Sequence, residues 1–248
     1  MLTVSLTHHA KQIKKNGGDY MPKIFIDAGH GGKDSGAVNG NIFEKDIALK
    51  IALKLNETLK SRGFQTQLSR SADVFIELNE RARKANNFGS DILVSVHLNS
   101  AANAQASGIE TLVYSYNGQN KKLGDDIQNA LIAATNAKNR GVKERPELVV
   151  LNSTKMLAVL VECGFLCNVN EKNLLVTDAY QNKIADAITD GISKYYSLEV
   201  ASVVNSVDEA LKILQNKGVI NSPEYWFKAV DVVKHLDELF INVAKKIG

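Results

Sequence analysis

Cysteine is scarce in these 248 residues, and the two present, Cys163 and Cys167, supply no disulfide framework. The chain therefore reads as one made in a reducing cytoplasm. Only three prolines occur, and neither a low-complexity tract nor an internal repeat is visible. No apolar run approaches the roughly 20 residues that span a bilayer. The first twenty residues also lack the apolar segment of about 7–15 residues, and the small-residue cleavage site, of a secretory signal. Strong charge of one sign is missing too: the formal net charge of +3 is too mild to argue for nucleic acid. What is present, 44% hydrophobic and 23% charged residues, describes an ordinary globular chain. Its length fits one good-sized domain, or one domain with a small appendage.

Residues 1–21 are polar and aperiodic, and Met21-Pro22 would serve as a natural start, so a loosely ordered or cloning-derived leader is expected. The adjacent His8 and His9 read as solvated leader residues. From residue 23 onward, short β-rich runs at 23–27, 65–69, 91–97, 109–115, 147–151 and 157–162 alternate with helical periodicity. The helical stretches fall at 44–62, 78–88, 118–138 and 178–196. In the first of them Ala48, Ile51, Ala52, Leu55 and Leu59 form one stripe, and Gly63 ends it. Runs such as Ile92-Leu-Val-Ser-Val and Leu157-Ala-Val-Leu-Val are apolar nearly throughout, as strands are when helices cover both faces of a sheet. The expected fold is α/β: a mostly parallel, twisted sheet of about six strands with helices on both faces. Residues 198–205 read as a linker. Beyond them 206–248 reads as a small C-terminal helical module, with a capping box at Ser206-Val-Asp-Glu209 and near-heptad apolar spacing from Trp226 to Ile247. With six acidic and six basic residues in 201–248 the module is neutral, and it is too small for a strong core of its own. It is expected to bind a ligand, dimerise, or dock on the main domain.

Candidate chemistry gathers at the ends of apolar segments. In Ile26-Asp-Ala-Gly-His-Gly-Gly32 glycines flank His30 after the first strand. His97 follows the third strand, Glu162 the last, and Glu44 opens the first long helix. In open α/β sheets ligands collect outside the carboxyl ends of strands, so these four side chains would converge if the strands run parallel and adjacent. Two imidazoles and a carboxylate are a common zinc set with a position left for water. A further carboxylate, not bound to the metal, is then needed to carry the proton. The bland readings stand beside this one. A histidine after a strand is often only hydrogen-bonded, and a glutamate at a helix start is favoured by the dipole alone. Glu162 is harder to dismiss, because a buried unpaired carboxylate is costly. From spacing alone the two readings stay open.

Several ordered blocks add to this. Ile26-Asp-Ala-Gly-His-Gly-Gly32, Asp34-Ser-Gly-Ala37, Glu44-Lys-Asp46, Ser69-Arg-Ser-Ala-Asp73 and Leu78-Asn-Glu-Arg81 come first. Ser95-Val-His-Leu-Asn99, Gly108-Ile-Glu-Thr111, Arg140-Gly-Val-Lys143 and Val159-Leu-Val-Glu-Cys-Gly-Phe-Leu166 follow. Over roughly residues 23–195 the chain resembles the zinc-dependent N-acetylmuramoyl-L-alanine amidases of the Amidase_3 type, among them autolysins, sporulation amidases and phage endolysins. The resemblance implies a Zn2+ cofactor held by His30, Glu44 and His97, with Glu162 as the catalytic residue. It implies a catalytic domain over 22–197 whose partner is bacterial peptidoglycan and whose reaction is hydrolysis of the amide between N-acetylmuramic acid and L-alanine. Ala28, Cys167 and Met156-Leu157 depart from the usual family residues without touching the metal chemistry. A catalytic domain with a short C-terminal module and no signal matches a phage or prophage endolysin, made in the cytoplasm and acting on the wall after release. A sporulation amidase shares that layout. A zinc peptidase or deacetylase, or a non-catalytic wall-binding protein, are the alternatives. Nucleic acid and a membrane span are not expected, and a homodimer through the C-terminal helices is one use of the module.

Weaker expectations attach to four residues. Arg70 and Arg81 either orient substrate carboxylates or anchor loops to Asp73 and Glu80. Asn99 either bonds substrate near the metal or ends its strand. Asp27 is expected behind a ligating histidine, since such histidines donate their other N–H to an oxygen.

Overall fold

The computed structural model describes residues 21–196, the backbone of residues 13–15 and 18–20, and four isolated positions, 211, 214, 215 and 243. One compact unit spans His9–Leu198 and contains everything discussed below. The linker at 198–205 and the helices expected over 206–248 lie outside the described residues, as do His8 and His9. Within the leader, β1 (Ile13–Lys15) and β2 (Gly18–Tyr20) pair antiparallel as a separate hairpin.

The main sheet comprises β3 (Lys23–Ala28), β6 (Gln65–Leu68), β7 (Ile92–Asn99), β8 (Ile109–Val113), β9 (Asn139–Glu144) and β10 (Leu157–Phe165). A second small hairpin joins β4 (Val38–Asn39) to β5 (Ile42–Phe43). Strand order across the main sheet is β6-β3-β7-β10-β8-β9, parallel at every junction except β10 with β8. Between strands run α1 (Glu44–Ser61), α2 (Leu78–Phe88), α3 (Gly118–Thr135) and α4 (Val149–Asn152), and after β10 come α5 (Val169–Leu175) and α6 (Asp178–Tyr195).

Side-chain alternation divides the core into two layers. Ile24 and Ile26 of β3, Val94 and Val96 of β7, and Val159 and Val161 of β10 face the long helices α1, α3 and α6. The predicted stripe of α1 lies in this layer, with Ala48, Ile51, Ala52, Leu55 and Leu59 fully buried. Burying each of the larger aliphatic side chains contributes about 1.5–3 kcal/mol. The opposite face holds Phe25, Leu93, Leu160 and Leu112 under only the short helices α2 and α4. That cover ends early, and the strands' last residues on this face carry polar side chains.

Two expectations fail for physical reasons. The run 147–151 is not a strand: its residues 149–151 lie in the single turn α4, a short apolar segment whose period cannot distinguish strand from buried helix. The sheet's sixth strand is instead β9, Asn139-Arg-Gly-Val-Lys-Glu144, whose polar and half-exposed residues suit an edge strand that must not recruit another chain. Helix α5 was also not anticipated; its N-cap Asn168 accepts from the backbone N–H of Asn170 and Glu171.

Candidate metal centre

Parallel pairing of β3, β7 and β10 brings their carboxyl ends to one edge, and the antiparallel β8 brings its start there. Register then writes one row across the sheet: His97 pairs with Glu162, and Glu162 with Glu110. On the other side of His97 stands Gly29, whose N–H donates to the Val96 carbonyl. A Cβ on Gly29 would lie 2.6 Å from His97 Nε2, so only glycine leaves room for the imidazole. Gly29→Ala is therefore expected to keep the fold but displace His97, lowering divalent-metal affinity by about 10–100-fold in a competitive chelator titration.

The loop after β3 turns back through His30, which holds the left-handed region at φ 57°. A non-glycine residue stays there only when its surroundings fix it. They do so from below. The Arg81 guanidinium donates to the carbonyls of Ile76, Ala28 and His30, and Arg70 donates to those of Ala28, Gly29, Ala72 and Lys45. Both side chains are buried, at 2% and 3% exposure for Arg81 and Arg70. Both anchor loops, through backbone carbonyls and, for Arg81, through Asp27 as well, whereas Glu80 pairs with Arg83. Asp73 reaches Lys45 and the Gly32 N–H.

Asp27, expected behind a ligating histidine, directs its hydrogen bonds to Arg81 and Ser95, while His97 lies near enough to act on its charge. Its carboxylate sits 2.8 Å from Arg81 Nη1 and accepts from Ser95 Oγ at 2.8 Å. Burial raises its pKa, yet Arg81, the nearby His97 and the serine hydrogen bonds overrule this and hold it below the usual carboxylate range. The partner that sequence reading missed is Asp34, whose Oδ2 lies 2.9 Å from His30 Nδ1. Its signal was local, four residues past the histidine. Arg81→Met is expected to leave Asp27 as a buried charge without compensation, costing about 3–5 kcal/mol in urea unfolding.

His30 Nε2 and His97 Nδ1 both point at Glu44 Oε1, at 3.1 and 3.0 Å, and their ring centroids are 4.8 Å apart. The Leu98 N–H also donates to Oε1, and the Ala37 N–H donates to Oε2. Burial pushes the Glu44 carboxyl up, but His30 and His97 outweigh it and hold the group well below the ordinary range. Burial lowers the His30 pKa, while Glu44 and Asp34 raise it, with a net rise. Donor atoms of all three residues lie within 4.8 Å of one another. Ligands about 2.0 Å from a tetrahedral zinc stand roughly 3.3 Å apart, so the two N–O separations suit one shared ion. The residues fit a metal: two imidazoles and a carboxylate converge, and Asp34 orients one imidazole from behind.

Glu162 sits beside this group without joining it. Its Oε2 is inaccessible and has no hydrogen-bond partner among the described residues. Burial, together with the nearby Glu44 and Glu110 carboxylates, drives its pKa up to about 7 against the opposing influence of the histidines. Such a carboxyl exchanges a proton near neutrality, which is what a general acid–base needs. Asn99 ends β7 and donates to Glu110 Oε1 at 3.0 Å. Cys163 is buried, its thiol pushed up by burial, so it is not poised for reaction.

A family model described as N-acetylmuramoyl-L-alanine amidase matches residues 24–194. The endolysin of Bacillus phage SPP1 is 42% identical over 186 residues, covering 72% of this chain and 68% of that protein. The sporulation-specific N-acetylmuramoyl-L-alanine amidase of Bacillus subtilis (strain 168) is 35% identical over 185 residues, covering 73% and 71%. Among solved structures, an N-acetylmuramoyl-L-alanine amidase from Clostridium difficile 630 superposes with a TM-score of 0.68 at 36% identity, covering 72% of this chain and 98% of that one. The match takes in all six strands of the main sheet but for Lys23, together with every residue of the centre, and the chain belongs to the N-acetylmuramoyl-L-alanine amidase family of the Amidase_3 type.

Proposed function

We propose that this amidase works with a zinc ion held by His30, Glu44 and His97 and with Glu162 as its proton carrier. The substrate on this reading is the amide joining the lactyl group of N-acetylmuramic acid to the L-alanine of the peptide stem. The supporting observation is the pairing of a convergent His-Glu-His donor set with a partnerless carboxyl oxygen on the adjacent strand. A divalent ion bound there supplies Lewis-acid chemistry, acidifying water and polarising an amide carbonyl.

The chain's own groups do the rest. The Glu162 carboxylate takes a proton from the attacking water as the new C–O bond forms. It then delivers that proton to the alanine nitrogen as the C–N bond breaks, leaving a free amine and a lactyl carboxylic acid that releases its own proton to solvent. Arg70 and Arg81 keep the His30 loop in its strained conformation, so the donors stay aimed without reorganisation. Incubating the zinc-loaded protein with purified walls should release new L-alanine amino termini. Acetate or internal peptide ends would instead identify a deacetylase or a peptidase.

The place of action follows from the substrate: the cell wall, reached as a phage or prophage endolysin after the membrane is breached, or during sporulation. Relatives of both kinds support this reading. None of the described helices is long and apolar enough to cross a membrane.

A further inference from the structure

The row that begins at Gly29 does not end at Glu162. Its next member, Glu110, is 6% exposed and carries two cations on one oxygen: Arg140 Nε and Lys143 Nζ, each 2.6 Å from Oε2. Asn99 occupies its other oxygen. One carboxylate between two cations leaves a net positive charge, and both cations come from the edge strand β9. Their side chains stay 27% and 32% exposed. The Arg140 guanidinium stacks over Phe165, 4.8 Å from the ring centroid, and Nη1 reaches only the Ser107 carbonyl at 3.4 Å. Among the described residues Nη2 has no acceptor, and Lys143 Nζ uses one of its three donors. A guanidinium fixed by stacking and by one carboxylate, with its remaining edge open, is built to receive a second carboxylate.

We propose that Arg140 and Lys143, held together by Glu110, bind a carboxylate of the residue that follows the alanine, so that the peptide stem leaves the metal across β10 and β8 toward the β9 edge. This rests on Glu162 protonating the alanine nitrogen. Across the sheet the order is His97 on β7, Glu162 on β10, Glu110 on β8 and the two cations on β9. The leaving amine must lie on the Glu162 side of the carbonyl, and the next residue of the stem then lies over β8. The chemistry agrees: the lactyl carboxyl is consumed in the amide and the sugar is uncharged, so the anions of this substrate lie on the peptide side.

The test uses the full zinc-loaded chain and two synthetic disaccharide pentapeptides that differ only in the α-carboxyl of the second residue, free in one and amidated in the other. The free acid should be cleaved with about tenfold higher kcat/KM, the difference carried by KM. In Arg140→Gln and Lys143→Gln the ratio should fall toward one, because the free acid loses more in kcat/KM than the amidated substrate does. A merely structural role would lower both substrates together and leave the ratio unchanged, which would overturn the proposal. Lys143→Gln, at the more exposed cation, guards against a folding defect in the arginine variant. Equal cleavage by the wild type would overturn this subsite alone. Cleavage of neither substrate would count against the amidase reading itself, and the subsite with it.

Discussion

Glu162→Gln is expected to lower kcat/KM on purified peptidoglycan by about 10²–10⁴-fold, the range that one positioned proton carrier contributes. The amide of glutamine keeps the shape of the side chain and cannot exchange the proton. Zinc stoichiometry should remain that of the wild type, because Glu162 is not among the converging donors. The same variant should be more stable, and in a particular pH range. The Glu162 carboxyl has its pKa raised from 4.5 to about 7, so the native state binds more protons than the unfolded chain between those values. Wild-type stability therefore falls as pH rises through that window, and the penalty is complete above it. In metal-free protein at pH 8 the glutamine variant should unfold up to about 3 kcal/mol later than the wild type, and the difference should vanish below pH 4.5. Catalytic loss joined to stability gain is the mark of a group kept in an unfavourable environment for its chemistry. Wild-type activity in the variant would remove Glu162 from the mechanism.

Metal removal is expected to have an equally large effect. Chelation should abolish wall hydrolysis and added zinc should restore it, whereas Glu44→Ala should abolish activity without rescue. Zinc at 1,000 times its dissociation constant should stabilise the wild type by about 4 kcal/mol and the Glu44→Ala variant hardly at all. Binding should also weaken toward acid pH. A proton must leave His30 before the metal can bind, and Glu44 and Asp34 raise the His30 pKa above its ordinary 6.5. The loss of affinity should accordingly begin above pH 6.5 in a titration of zinc binding between pH 8 and 5.5. A metal-free protein with undiminished activity would end the zinc reading.

These results would separate two roles that the sequence alone could not. Around the centre, the polar residues fall into those that converge on one point and those that hold them in place. His30, Glu44, His97 and Glu162 meet in space. Arg70, Arg81, Asp27, Asp34 and Ser95 form the frame, with Arg81 and Asp27 a buried pair and Asp34 braced on His30. A buried arginine that binds a loop's own carbonyls is the same residue type as one that binds substrate, so composition offers no way to divide them.

What the sequence determined by itself is whatever rests on local period and short-range chemistry. The apolar runs of β3, β7 and β10, the stripe of α1 and the glycine-flanked turn at His30 were all legible, because each needs only its own neighbours to make physical sense. Hence the α/β class, and the candidacy of His30, Glu44, His97 and Glu162, rest on local signals in the sequence. Tertiary structure alone decided the rest. Whether 147–151 formed a strand depended on what packed over it, and whether 139–144 joined the sheet depended on an edge being available. Asp27 turned to Arg81 because pleat and burial placed a cation there. Glu110, Arg140 and Lys143 became neighbours of Glu162 only because β8 runs antiparallel to β10, and strand direction is set by the long-range pairing of segments that share no local signal.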